Sequence, residues 1–313
     1  MDYSVIGKKI KELRRDVGLT QGGLAEGVCT QALISRIEKG DIYPSATALY
    51  QISKKLGVDV NYFFEIGTTP RLDYIKEVER QLRKLRIKLF YEEILEIVKV
   101  EEKNPLFIND NYNRQLLLWH RGIYVNEVNK DSERAFAILK KALMLTYDKK
   151  KVMSEREMSI SISMGIIEFS RNNYDKALEI YEGVRKGIYL TSQLSDKAIK
   201  TRLLYNIARV FTRMGRYEES TEHCQEAIRW IIEEEHLYGF AQLNYHIGYN
   251  HELQERYQEA LPYLEKAAML FELQYNQKLA SFITSKKGEL ILKIEKNLKK
   301  STPHKEKCRQ QVL

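Results

Sequence analysis

The chain has 313 residues, 43% of them hydrophobic, with only 5 Pro and 16 Gly; it is too long for one small core, and its composition favours long helices over turn-rich β architecture. No apolar run approaches membrane-spanning length, and the N-terminus opens on a charged amphipathic stretch rather than an apolar signal core. Net charge is +8, but residues 1–66 hold nine Lys/Arg against eight Asp/Glu, while 71–92 carry +3 and 293–313 carry +5, so charge by itself argues little for nucleic-acid binding. An all-α, soluble, cytoplasmic protein without membrane contact is expected. The cysteines Cys29, Cys224 and Cys308 are far apart and lack metal or redox spacing, which fits a reducing compartment.

In chain order, Ile6, Ile10, Leu13 and Val17 recur at spacings of four, three and four and predict a helix that Gly18 ends. Thr20 is a suitable N-cap for a second helix carrying Leu24 and Ala25. Gly22 and Gly23 within it cost roughly 1 kcal/mol each relative to Ala. After Gly27-Val28-Cys29 a third helix is predicted from about Thr30 to Lys39, with Leu33, Ile34 and Ile37 inward, Gln31, Ser35 and Arg36 on another surface, and Gly40 as its stop.

Leu19-Thr20-Gln21, Leu24-Ala25, the run from Ile34 to Gly40, Tyr43-Pro44-Ser45, Leu49, Ile52 and Leu56-Gly57-Val58 together resemble the Cro/C1-type helix-turn-helix family. The resemblance implies a five-helix DNA-binding bundle over residues 1–66, with the third helix in the major groove of double-stranded DNA. Gln31 is then the leading base reader, because an amide pairs bidentately with adenine, and Thr30 and Ala32 would reach neighbouring bases or a thymine methyl. Ser35 and Arg36 follow on the same side, while Gln21, Tyr43 and Ser45 are candidate phosphate contacts that set register. Such side chains are also found on plain solvated helices, and Arg36 could pair with Glu38 or another acid.

Gly67-Thr68-Thr69-Pro70 reads as a hinge, opening a connecting segment over 67–92. There Ile75, Val78, Leu82, Leu85 and Leu89 form a stripe that is either a dimer seam or the packing face for the next helix. A homodimer on a palindromic operator is expected by either route.

Beyond it, Tyr174-Asp175-Lys176-Ala177, Tyr217-Glu218-Glu219-Ser220 and Tyr257-Gln258-Glu259-Ala260 form a series. Taking Ile94, Ala135, Ala177, Ser220 and Ala260 as equivalent gives periods of 41, 42, 43 and 40, hence five helical hairpins over residues 75–296. They resemble degenerate tetratricopeptide repeats, which implies a right-handed solenoid with a concave groove. In the fourth repeat Arg202, Asn206, Arg209 and Arg213 stand opposite an apolar arc of Leu203, Leu204, Ile207, Ala208 and Phe211. One period on, Gln242, His246 and Tyr249 occupy the same lane, and one period back Ser159, Ser163 and Ser170 do. Asparagine can bond an extended backbone in both directions and arginine can clamp a carboxylate, so the lane suits a peptide, although a polar stripe is also the ordinary mark of a solvated face.

The combined architecture, together with the segments Ser35 to Glu38, Tyr43 to Ser45, Tyr205-Asn206 and Arg216 to Ser220, resembles the PlcR-like, peptide-responsive regulators of the Rgg/PlcR/NprR group in Gram-positive bacteria. The resemblance implies a dimeric transcription regulator whose DNA binding is altered by a short secreted quorum-sensing peptide re-imported into the cell. It also implies that Asn206 holds the peptide backbone, while Ser163 falls where a second asparagine would be expected. Two other functions fit the architecture: a ligand-independent repressor whose repeats only dimerise, and an adaptor whose repeats capture a partner protein. No nucleophile triad, phosphate loop or metal cluster is apparent, so no enzyme activity, cofactor or metal is expected, and His304 with Cys308 is too few ligands for a metal. The basic segment 297–313 has the composition of a disordered tail.

Overall fold

The computed structural model describes residues 3–68, 71–148 and 152–301, and every regular element among them is a helix. The chain forms two compact units that divide between Arg114 and Gln115.

The first unit begins with α1 (Tyr3–Asp16), α2 (Gln21–Ala25), α3 (Gln31–Lys39), α4 (Ala46–Leu56) and α5 (Val60–Thr68). The three inner helices start at side-chain caps: Thr20, Thr30 and Ser45 accept from the backbone amides of Gly23, Leu33 and Ala48. Helices α3 and α4 stop at Gly40 and Gly57, whose positive φ of 82° and 69° suits glycine. Ile6, Ile10, Leu24, Ile34, Ile37, Leu49, Ile52 and Phe63 close over one core, and burying each such side chain contributes about 1.5–3 kcal/mol. α2 is only five residues long, in keeping with its two glycines, and the Lys55 ammonium braces it by donating to the carbonyls of Gly23 and Glu26. Gly7 is a contact that the periodicity does not announce: a β-carbon there would lie 2.0 Å from the Ile37 carbonyl oxygen, so α1 and α3 touch backbone to backbone.

α6 (Leu72–Lys88), α7 (Tyr91–Glu101) and α8 (Pro105–Ile108) complete this unit. Of the stripe expected as a seam or a packing face, Ile75, Val78 and Leu82 are buried and α6 packs on α7, while Leu89 is exposed. The hairpin counted from Ile94 thus groups with the helix-turn-helix bundle. The hinge residues Thr69 and Pro70 lie outside the described residues.

The second unit stacks the hairpins α9 (Asn111–Glu127)/α10 (Ser132–Met144), α11 (Glu155–Ser170)/α12 (Tyr174–Leu190), α13 (Ala198–Arg213)/α14 (Tyr217–Glu233) and α15 (Phe240–Leu253)/α16 (Tyr257–Leu273), followed by α17 (Gln277–Ser301). The register is the sequence period: Ala135, Ala177, Ser220 and Ala260 are each fully buried where the second helix crosses the first. On the facing helices Gly122, Gly165 and Gly248 leave room for Leu139, Tyr181 and Leu264 of their own hairpins, and a β-carbon on Gly165 would lie 2.2 Å from the Tyr181 ring. α17 runs five residues into the basic 297–313 segment, and residues 302–313, with His304 and Cys308, lie outside the described ones. Among the described residues no helix is long and apolar enough to cross a membrane, and no group of three His, Cys, Asp or Glu could hold a metal ion.

Candidate nucleic-acid interface and ligand lane

In the first unit, Gln31, Ala32 and Arg36 lie exposed on α3, with Thr30 exposed as its N-cap and Ser35 half-buried beside them. They share one side because residues three and four apart on a helix are neighbours. The Gln31 amide leans toward the start of α2, close enough that a β-carbon on Gly22 would lie 3.7 Å from its Oε1. No acidic residue occupies the first turn of α3 or α4, which leaves the positive ends of both helix dipoles uncompensated, as an approaching phosphate requires. Ser45 is exposed as the α4 cap, and Tyr43 is half-buried against the core.

Gln21 behaves differently from the other candidates. Its Nε2 donates to Glu38 Oε2 at 2.8 Å, and Arg14 grips the same carboxylate through Nε at 2.5 Å and Nη2 at 3.0 Å while donating to the Leu19 carbonyl at 2.7 Å. Glu38 is therefore taken by Arg14, from α1, and Arg36 stays exposed. Burial pushes the Glu38 carboxyl up, but hydrogen bonds from Arg14 and Gln21 and the Arg14 charge outweigh it and hold the group below its ordinary value. This clamp ties α1, the start of α2 and the back of α3 together, so Arg14 and Glu38 position α3 without facing outward. Sequence spacing offered Glu38 as a partner for Arg36 and did not mark Arg14, because the observed pair is 24 residues apart and lies on no shared helix face.

In the second unit hydrogen bonds and ring contacts link most of the candidate lane. Trp119 Nε1 on α9 donates to Ser163 Oγ at 3.0 Å, and the Ser163 hydroxyl donates to the Ser159 carbonyl. Arg202 Nη2 bridges Ser159 Oγ at 3.1 Å and Asp196 Oδ2 at 3.3 Å. Asn206 donates to the Arg202 carbonyl at 2.8 Å and accepts from Arg209 Nη1 at 3.1 Å. The Arg209 guanidinium lies over Phe169, 4.5 Å from the ring centre, and Tyr205 meets His246 edge-on at 5.5 Å. His246 Nε2 pairs with Thr212 Oγ1 at 2.9 Å, Thr212 donates to Asn250, and Tyr249 follows 6.3 Å from His246 under the Lys286 ammonium.

Asn206 and His246 are both 7% exposed, while Ser163, Arg202, Arg209, Gln242 and Tyr249 are half-buried and Arg213 is exposed. Burial lowers the His246 pKa to about 4, so the ring is neutral at neutral pH and serves as a hydrogen-bonding group. Two lane atoms, Arg202 Nε and Gln242 Oε1, are buried without a protein partner, one a donor and one an acceptor. A buried group of that kind costs about 1–3 kcal/mol until something satisfies it, and an extended peptide offers both complements. Sequence spacing missed Trp119, Asp196 and Thr212; stepping one further period of 42 back from Ser163 lands on Arg121, two residues beyond Trp119.

Residues 10–63 match the helix-turn-helix family, and residues 80–292 match the RNPP family C-terminal domain. No curated protein matches the chain in sequence. Among solved structures, PlcR of Bacillus thuringiensis in complex with the peptide PapR7 and DNA is 25% identical with a TM-score of 0.81, over 90% of this chain and 99% of PlcR. ComR of S. thermophilus in complex with DNA and its signalling peptide ComS is 18% identical with a TM-score of 0.62, over 91% and 99% of the two chains. The SHP pheromone receptor Rgg2 of Streptococcus dysgalactiae is 15% identical with a TM-score of 0.58, over 91% and 99%.

Proposed function

Because the chain belongs to the RNPP family, we propose that it is a transcription regulator that binds double-stranded DNA through α3 and is controlled by a short signalling peptide held in the lane of α11, α13 and α15. The observation that carries this reading is the family match over residues 80–292 joined to a helix-turn-helix over 10–63. PlcR and ComR, the relatives with this architecture, have been solved with both DNA and a peptide. The protein acts as a homodimer in the cytoplasm on a palindromic site and catalyses no reaction. Domain limits follow the sequence reading: DNA binding in 1–66, connection over 67–92, sensing in 75–296.

On DNA, Gln31 and Arg36 read bases, with Thr30, Ala32 and Ser35 reaching their neighbours, and Tyr43 and Ser45 meet phosphate. Gln21 presents its remaining amide proton to the backbone while its other one holds Glu38. In the lane, Asn206 exchanges hydrogen bonds with the peptide backbone after releasing Arg209, and Arg202, Arg209, Gln242, His246, Tyr249 and Ser163 complete the contacts. A binding step that rearranges such a network couples two sites by about 1–3 kcal/mol, enough for a 5- to 150-fold change in DNA affinity.

Two measurements test this. Gln31→Ala and Arg36→Ala should each weaken binding to the best duplex selected from host genomic fragments by about 1–3 kcal/mol; unchanged affinity in both refutes the DNA reading. The low-mass peptide fraction of spent medium should raise the melting temperature of the full chain by several degrees, since a ligand specific for the folded state stabilises it by about 2.7 kcal/mol at 100 times its Kd. Asn206→Ala should abolish that shift, and a shift that survives the substitution excludes the lane as the peptide site.

A further inference from the structure

α11 has a second wall. Ser159 and Ser163 lie toward the peptide lane, and Ser161, Met164 and Glu168, which sit on other faces of the same helix, line a separate, solvent-open cavity of about 450 Å³ flanked by α10 and α12. That volume falls within the roughly 300–1,000 Å³ of small-molecule sites. The walls are aromatic and thioether surfaces, including Phe136, Tyr147, Met153 and Met164, and flexible methionine adapts to irregular apolar shapes.

Gly183 lies exposed in the middle of α12 at the mouth of this cavity, and a β-carbon there would meet nothing within 4 Å, as at the exposed Gly288, whereas Gly122, Gly165 and Gly248 are each required by a hairpin partner. A mid-helix glycine costs about 1 kcal/mol relative to alanine, and here its structural effect is to lower one wall of the cavity. The buried charge at the site is already paired: Glu168, 5% exposed, is held by Arg171 Nη1 at 3.0 Å and Asn173 Nδ2 at 2.7 Å, and the other charged lining residues, Lys176 and Glu179, are of opposite sign. A charged ligand would enter apolar walls without an unmatched counter-charge, which is unfavourable.

We propose that this cavity is a second ligand site, for an uncharged, mostly apolar aromatic or alicyclic molecule, distinct from the peptide lane and shared with it only through α11. The inference does not draw on the peptide reading.

The test titrates the full chain with Nile red, a neutral apolar dye. Saturable binding of one dye per chain, with blue-shifted emission, is expected. Gly183→Trp, which places an indole at the cavity mouth, and Lys176→Trp, which covers its rim from an exposed position, should each weaken binding by about tenfold or more, and Gly183→Ala should leave it within about twofold. The anionic dye 1-anilinonaphthalene-8-sulfonate should bind at least about tenfold more weakly than Nile red. Should Gly183→Trp not fold, Lys176→Trp decides alone. Absence of saturable binding, or wild-type binding by folded tryptophan variants, overturns the site, and equal binding of the anionic dye overturns the ligand class.

Discussion

The Arg14–Glu38 clamp makes a demanding test of how the reading helix is held. Glu38 is 4% exposed and accepts three hydrogen bonds, two from Arg14 and one from Gln21. Removing one partner of a buried pair costs about 3–5 kcal/mol because the other charge stays buried. Arg14 is 8% exposed and would keep only its bond to the Leu19 carbonyl, so Glu38→Ala should cost about 3 kcal/mol, the low end of that range. Hydrogen exchange of peptides spanning residues 31–39 reads this locally, and at about 1.4 kcal/mol per decade the protection of α3 should fall roughly 100-fold. Arg14→Met combined with Glu38→Leu removes both charges and should restore most of the protection, since apolar replacement of a buried pair is often neutral. The sign with pH follows from the lowered Glu38 pKa: the contribution is fully present above the ordinary carboxylate pKa and is lost as pH falls through the folded value. The reasoning fails if Glu38→Ala lowers protection less than about threefold, or if the double variant is as unprotected as the single one.

Gly7→Ala should destabilise the first unit by about 1–3 kcal/mol or more, because its methyl would enter the Ile37 carbonyl; exchange protection of α1 and α3 should fall together while the repeats keep theirs. His246 ties the second unit to pH in the opposite sense from a paired histidine. Its folded pKa of about 4 lies below the ordinary 6.5, so its stabilising effect is whole above 6.5 and is lost as pH falls toward 4. Between about pH 7.5 and pH 5 this amounts to about 2 kcal/mol. Thermal melts followed by Trp119 and Trp230 should therefore fall more steeply with acid in the native chain than in His246→Gln, and parallel slopes would show that the ring is not buried neutral.

What the sequence determined was whatever repeats along the chain or obeys local rules. Apolar spacing from Ile6 to Leu56, the caps at Thr20, Thr30 and Ser45 and the stops at Gly40 and Gly57 are local, and they define the helix-turn-helix bundle without reference to any distant residue. The steps linking Ala135, Ala177, Ser220 and Ala260 mark the hairpin crossings, because a small residue there is needed every time one helix crosses its mate. Tertiary structure decided everything that depends on which distant groups meet. It gave Glu38 to Arg14 from another helix, required Gly7 for a backbone contact 30 residues away, and turned the stripe of Ile75, Val78 and Leu82 inward onto α7. It also drew Asn206 and His246 out of solvent into one network with Trp119 and Thr212, since a side chain's burial and hydrogen-bond partners are set by neighbouring helices that the linear spacing does not encode.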